Sequence, residues 1–236
     1  MSVAQFTIRA RGQSFPVTIV SAQTAFYQGI GPQWNVVAPD PGALNANDIV
    51  LVHAALQNAK EDLPLPSGWQ QLLYSTAGAN DEYASILYGR RVSSPGTLPA
   101  NDRTWLYFTN FATGSFVRLS IVVLRGVPGG DLISFFSART GSIVNGTLGA
   151  PAALTSHTRP AAVSLSLHFV HTAAGSISAA PAGWTSVLEA VDGAGTDAGS
   201  YYVEAAQYAE SGTTTALART TSPLRRATAL ISLVAQ

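Results

Sequence analysis

The segment Pro66-Ser-Gly-Trp69 returns as Pro181-Ala-Gly-Trp184, and the sequence around each copy matches too. Laid on that anchor, Ile49-Val-Leu-Val-His-Ala-Ala-Leu falls on Ser164-Leu-Ser-Leu-His-Phe-Val-His. Apolar pairs follow each tryptophan, Leu72–Leu73 and Val187–Leu188. Each copy closes on a long apolar run, Val117-Arg-Leu-Ser-Ile-Val-Val-Leu and Arg226-Ala-Thr-Ala-Leu-Ile-Ser-Leu. An internal repeat constrains architecture before any motif does. Here it predicts two related β units of about 85 residues each.

Hydrophobic periodicity says what those units are made of. Leu165, Leu167 and Phe169 alternate with Ser164, Ser166 and His168, the period of a strand with one buried face. Val50, Val52 and Ala54 take the corresponding inner positions in the first copy. Val117, Leu119, Ile121 and Val123 share a face, while Val122 and Leu124 make the other face apolar as well. A strand apolar on both sides is central, or covered by the other repeat. Further strands are expected at Phe15–Val20, Gln33–Val37, Gln70–Tyr74, Tyr83–Val92, Thr104–Asn110, Ser186–Val191, Ser200–Tyr208 and Thr213–Arg219. The Ala-rich stretch Val203–Ala209 reads as strand, because its counterpart in copy one, Ile86–Val92, does. No window carries a helical stripe.

The expected fold is all-β, a jelly-roll-like β-sandwich built from two tandem related repeats. Residues 1–45 form an N-terminal arm, either extra strands completing the first sheet or a segment that pairs with a neighbour. Residues 46–128 form repeat 1, 129–150 a connector and 151–236 repeat 2, with Gly141–Pro151 reading as the connecting stretch. The alternative is that the repeats fuse into one pseudo-symmetric sandwich, since a lone β unit would leave its edges open.

Composition removes several function classes. Thirteen basic and thirteen acidic residues cancel, so no long-range field steers the chain to nucleic acid or an anionic membrane. No apolar window reaches the roughly 18 residues of a membrane-spanning helix. Zero cysteines exclude a disulfide framework and a thiolate metal site. The start of the chain lacks the basic-then-apolar pattern of a secretory signal, which predicts synthesis in a cytoplasm. The charged fraction of 11% is well below the roughly 25% of ordinary soluble domains. That fits a surface covered by neighbouring subunits, or a neutral polar extracellular surface.

Candidate chemistry is thin. A Trp after Pro-x-Gly is either a stacking platform for a sugar or a core anchor delivered by a tight turn, and the repeated apolar context favours the anchor. His53 and His168 take equivalent repeat positions, on the face opposite the apolar set. Neither has a His or carboxylate at ligand spacing, and His171 falls on the opposite face from His168. The loops Gly78–Glu82 and Asp192–Asp197 carry oxygen ligands without the Asp-x-Asp-x-Asp-Gly pattern of a calcium loop, and hairpin turns use the same residues. Among Glu61, Asp62, Asp81, Glu82, Glu189, Asp192 and Asp197, nothing singles out an acid pair for glycoside hydrolysis. No nucleophile elbow, phosphate loop or dinucleotide fingerprint is present. Asn145-Gly-Thr147 reads as an Asn-Gly turn, and Arg90–Arg91 as a strand end. No catalytic, cofactor-binding or metal residue is assigned, and no cofactor is expected.

The order Asp-Ile-Val-Leu-Val at 48–52, Pro-Ser-Gly-Trp at 66–69, Tyr-Gly-Arg-Arg-Val at 88–92 and Val-Val-Leu-Arg-Gly-Val at 122–127 resembles a known family. Pro-Ala-Gly-Trp at 181–184 and the closing Ala-Leu-Ile-Ser-Leu continue the likeness. The chain is similar, over about residues 45–236, to β-rich virion and tail proteins encoded among the structural genes of tailed bacteriophages. Copy two lacks the Arg-Gly ending of copy one, and the N-terminal arm has no counterpart. The resemblance implies a non-enzymatic virion component made in the host cytoplasm, in a tail, fibre or capsid-decoration role. Its partners would be other virion proteins and its own copies in a homo-oligomer, with no nucleic acid and no membrane. The alternative is a carbohydrate-binding or host-attachment module, with Tyr27, Trp34, Tyr83, Trp105, Tyr107, Tyr201 and Tyr202 as its aromatic platform.

Overall fold

The computed structural model describes residues 4–10, 13–29, 33–57, 60–61, 65–77, 83–108, 115–136, 138–144, 152–159, 164–173, 176–191, 199–208, 211–220 and 226–234. Within them the first half of the chain runs β1 (Ala4–Ala10), β2 (Gln13–Gly29), β3 (Gln33–Val37), β4 (Ile49–Gln57), β5 (Lys60–Glu61), β6 (Gln70–Ala77), β7 (Tyr83–Arg91), β8 (Thr104–Phe108) and β9 (Ser115–Arg125). A one-turn helix α1 (Leu132–Phe135) leads into β10 (Ala138–Val144), β11 (Ala153–Arg159), β12 (Ser164–Ala173), β13 (Thr185–Val191), β14 (Gly199–Tyr208), β15 (Gly212–Leu217) and β16 (Arg226–Val234). Every segment read as a strand from alternation overlaps one of these, though β7 stops at Arg91 and β15 at Leu217, and residues 109–110 lie outside the described residues; Val203–Tyr208 is strand despite its alanines.

The strands form an all-β sandwich of four antiparallel sheets. A first main sheet has the order β1-β2-β9-β4-β7-β6 and a second the order β10-β16-β12-β14-β13. From β2 and from β10 onward, the two orders correspond strand for strand. A cover sheet, β3-β8-β5, lies on the outer face of the first main sheet, and a two-stranded one, β11-β15, on that of the second. The main sheets pack on each other along a seam. Ile49, Leu51, Leu87, Val122 and Leu124 meet Leu165, Leu167, Phe169, Val203, Ile231 and Leu233 there.

Burial on both faces corrects the one-face reading of β12. Ser166 and His168 are fully buried, because the second cover sheet and residues 176–184 shield the face opposite Leu165 and Leu167. The double-sided apolar pattern of β9 has the physical cause expected of it. Val117, Leu119, Ile121 and Val123 face the first cover sheet, and Val122 and Leu124 face the seam.

The arm and the connector both contribute strands. Residues 4–10 pair with Gln13–Ile19, and Thr18–Gly29 pair with β9, so β1 and β2 extend the first main sheet. The stretch read as connector carries α1 and β10, and Gly141–Val144 pair with Arg226–Ala229. The sequence hides this strand because Gly141 interrupts its alternation. A Cβ at Gly141 would lie 2.5 Å from Ser75 Oγ and 2.8 Å from Leu73 Cδ2, so the glycine marks where β10 crosses close to β6.

Both Gly-Trp segments are turns. Trp69 N–H donates to Pro66 O at 3.2 Å and Trp184 N–H to Pro181 O at 3.0 Å. The glycines have φ of 82° and 85°, the left-handed position that a type II turn requires of its third residue. Each turn opens an edge strand of a main sheet, β6 or β13. Each of those strands then carries a bulge, between Gln71 and Leu73 and between Ser186 and Leu188.

Candidate functional site

Four of the sequence blocks that carry the family resemblance converge at the Gly-Trp end of the first half. Asp48, only 1% exposed, accepts from Arg125 Nε at 3.0 Å and Nη2 at 2.8 Å. The Asn45 amide donates to the same carboxylate at 2.8 Å. Arg90 donates to Ser67 O in the Gly-Trp turn at 3.1 Å and to Asp102 Oδ2 at 3.0 Å. Trp69 Nε1 donates to the Asp102 carbonyl at 2.5 Å. Arg91 reaches the carbonyls of Asn47 and Gly130. Asn47 itself has a left-handed φ of 68°. These residues bond to one another, so they form a bracket that ties strand ends together. Arg90 and Arg91 sit at the end of β7 and serve that bracket.

The other concentration of ionisable groups lies between the second main sheet and its cover. His168 and Glu204, both fully buried, face each other across β12 and β14, with His168 Nδ1 2.9 Å from Glu204 Oε1. Arg219 Nε lies 3.9 Å from Glu204 Oε2, and Arg219 also donates to the Ser178 carbonyl and to Glu189. The Arg219 guanidinium sits 5.0 Å from the Tyr202 ring centroid. Trp184 closes the side, edge-on to His168 with centroids 6.0 Å apart. Nearby, His157 Nε2 meets Ser232 Oγ at 2.7 Å, and Ser232 meets Ser166 at 2.6 Å. Burial and the neighbouring Arg159 push His157 down to about 4, so it is neutral at physiological pH. The Ser186 hydroxyl, with Arg219, holds the Glu189 carboxyl below its ordinary value.

The matching space in the first half is filled differently. Val50, Val52, Trp69, Tyr88, Trp105, Leu119 and Ile121 make it an apolar core. In the second half the buried apolar set shrinks to Leu154, Val170, Tyr202 and Ala218. Sequence reasoning missed this polar chamber. The signal was present in Ser166, His168, Glu204, Thr228 and Ser232, whose alternation looked like a solvent-facing pattern.

Chemically the core of the chamber is a buried Glu–His pair beside an arginine. A Glu–His pair can hold and orient a proton, but catalysis also needs a reacting group within hydrogen-bond reach of the base. His168 Nε2 has no hydrogen-bond partner, and full burial keeps substrate from it. Ser166 and Ser232 are likewise buried, which removes them as nucleophiles. Among the described residues no group of three or more His, Asp or Glu converges as a metal site would.

The histidines also correct the repeat alignment. His53 faces the seam, whereas His168 faces the polar chamber, so the two are not equivalent and do not share a face type. A one-residue slip inverts every side chain of a strand, and equating residue 53 with 168 carries such a slip. His53 Nε2 lies 2.9 Å from Ser85 Oγ and Nδ1 3.3 Å from Tyr201 Oη. His171, as expected, lies on the face opposite His168. It reaches the end of the seam beside Phe116, at a centroid distance of 4.8 Å.

Beside His171 is a crevice of about 10 Å³, room for a single water, lined by Leu56, Tyr83, Phe116, Ile143 and Arg226 among others. Both His171 ring nitrogens lack a hydrogen-bond partner. A buried polar group left unsatisfied costs about 1–3 kcal/mol. His171→Leu, of similar volume, is therefore expected to raise thermal stability by about 1 kcal/mol, read as an increase in Tm at neutral pH. A lower Tm would mean that the imidazole has a partner in the crevice.

The remaining candidates divide cleanly. Trp69 is 6% exposed and is the core anchor the turn predicts, while Trp184 is only half-buried. Trp105, Tyr107, Tyr201 and Tyr202 are core residues, so they are not a sugar platform; large aromatics in a sandwich serve the interior first. Tyr27 and Tyr83 are half-buried. The Trp34 and Glu61 side chains, the loops 78–82 and 192–198, Asp62 and Asn145–Thr147 lie outside what the structure describes. No described helix is long and apolar enough to cross a membrane.

No protein-family model, no curated protein and no solved structure matches the chain.

Proposed function

We propose that this chain is a non-enzymatic structural protein at the surface of a tailed-bacteriophage particle, in a tail, fibre or capsid-decoration role. It would act through contacts with other virion proteins and with its own copies. The observation that carries the reading is where the described ionisable clusters go: their centres are buried between layers or spent on strand-end brackets. A chain built so works through its outer surface. The low charge and the resemblance of residues 45–236 support the same role, and the corresponding strand orders of the two main sheets support a duplicated unit behind it.

Mass spectrometry of purified particles should find the chain in stoichiometric amounts, and light scattering of the isolated protein should give an oligomer. A strict monomer absent from particles would sink the proposal. The host-attachment alternative keeps only Tyr27 and Tyr83 of its described aromatics. A bacterial glycan array without a hit removes that alternative and leaves the first reading standing.

A further inference from the structure

We propose that the seam between the two main sheets is an acid-sensitive joint, which parts before either main sheet separates from its cover sheet. Apart from its apolar residues, the seam holds a cluster of titratable and hydroxyl side chains drawn from both main sheets. β4 contributes His53, β9 Arg118, β7 Ser85 and β2 Thr24; β12 contributes His171 and β14 Tyr201. Ser85 donates its single proton to the Thr228 carbonyl of β16 at 2.8 Å. It therefore accepts from His53 Nε2–H, which leaves His53 Nδ1 as the acceptor for the Tyr201 hydroxyl. This hydrogen-bond chain joins the two sheets and is written for a neutral imidazole. A proton on Nδ1 would turn the acceptor into a donor, so the Tyr201 hydroxyl would have to rotate and give up its bond to the imidazole.

Charge compounds the mismatch. The Arg118 guanidinium lies 4.8 Å from the Phe26 centroid and 5.7 Å from the Tyr201 centroid, so a cation already occupies the seam. The described carboxylates lie elsewhere: Glu204 behind β12 with His168, Asp48 on Arg125, Asp102 on Arg90, Glu189 on Arg219, and Asp40 and Asp131 at exposed turns. Arg226 lines the crevice at the seam's end. Protonating His53 or His171 thus adds like charge to the joint. His168, in the outer chamber, meets a carboxylate instead.

Burial, with His168 nearby, holds His53 down to about 3. Burial, Arg118 and His53 hold His171 well below its ordinary value. In a parted seam both would titrate near 6.5. The parted state then binds more protons, so the closed seam loses stability as pH falls below about 6.5, and the loss continues down toward the folded-state values.

The described tryptophans report on the other layers. Trp69 and Trp105 pack between the first main sheet and its cover, and Trp184 lies against His168 behind the second. The test is an acid titration of the full chain carrying Trp34→Phe. A dye that fluoresces on exposed apolar surface (ANS) is followed beside tryptophan emission. The dye signal should rise at a pH at least ~0.5 unit above the emission shift. With His53→Gln and His171→Leu added, the dye transition should move about one pH unit lower and take up about two fewer protons; His168→Gln, which acts only through its influence on His53, should move it far less. Coincident dye and emission transitions would overturn the proposal, as would an unmoved dye midpoint in the double variant. If that variant does not fold, the comparison of the two signals still decides.

Discussion

Trp69→Ala is expected to destabilise the protein by about 4 kcal/mol, whereas Trp184→Ala should cost only about 1 kcal/mol. The two residues end identical turns, yet they enter different surroundings. Trp69 is 6% exposed, meets Trp105 edge-on at 5.0 Å and donates its indole N–H to Asp102. Truncation removes that whole contact set and leaves a cavity beside Trp105, which also stacks on Tyr88 at 5.3 Å. Trp184 is half-exposed, and its named ring partner is His168. Urea unfolding measures both: the midpoint should fall far more for Trp69→Ala, with the slope m unchanged in each variant. Equal losses would refute the asymmetry between the apolar and polar chambers.

Asp48→Ala should cost about 3 kcal/mol. Its buried carboxylate takes two hydrogen bonds from Arg125 and one from the Asn45 amide, and its backbone joins the turn to β7 through Val92. The substitution removes one group that satisfied both the Arg125 guanidinium and the Asn45 amide. Arg125→Ala should cost at least as much as Asp48→Ala, because it leaves the Asp48 carboxylate, 2% exposed, buried without its cation, whereas after Asp48→Ala the Arg125 side chain, 37% exposed, can return to water. A double-mutant cycle should give a coupling of about 1–3 kcal/mol. Additive losses would show that the pair contributes nothing beyond its separate contacts.

Much of the fold was legible because the strands obey simple periodicity. Val117–Leu124 reads as apolar on both faces and is a central strand of the first main sheet, while Ile49–Leu56, read with one inner face, is central too and buried on both. The Pro-x-Gly-Trp turns were legible from backbone chemistry, since only glycine takes their third position without strain. Strand β10 was not legible, because Gly141 is there for a close approach to β6 that no local pattern encodes. The polar chamber was missed for a related reason. Alternation in β12 and β14 says which side chains share a face, but a buried Ser, His or Glu has the same period as an exposed one. The misassigned equivalence of His53 and His168 came from sliding a gapless alignment through loops of unequal length. In a strand, that error exchanges inside for outside.

The pairing of β2 with β9 has a consequence for how the protein is made. Thr24 bonds to the Leu119 carbonyl, 95 residues further along the chain, and β9 also supplies one flank of β4. At roughly 5–20 residues per second, a ribosome delivers β9 on the order of 5–20 s after β2. Once made, β4, apolar on both faces, lacks both of its neighbours until β7 is made and lacks β9 until the interval ends. The second half repeats the order, with β10 and β12 waiting for β16. Synthesis therefore passes through two intervals in which a hydrophobic central strand is open on one edge, and these are the moments at which a chaperone or a wrong partner can bind it.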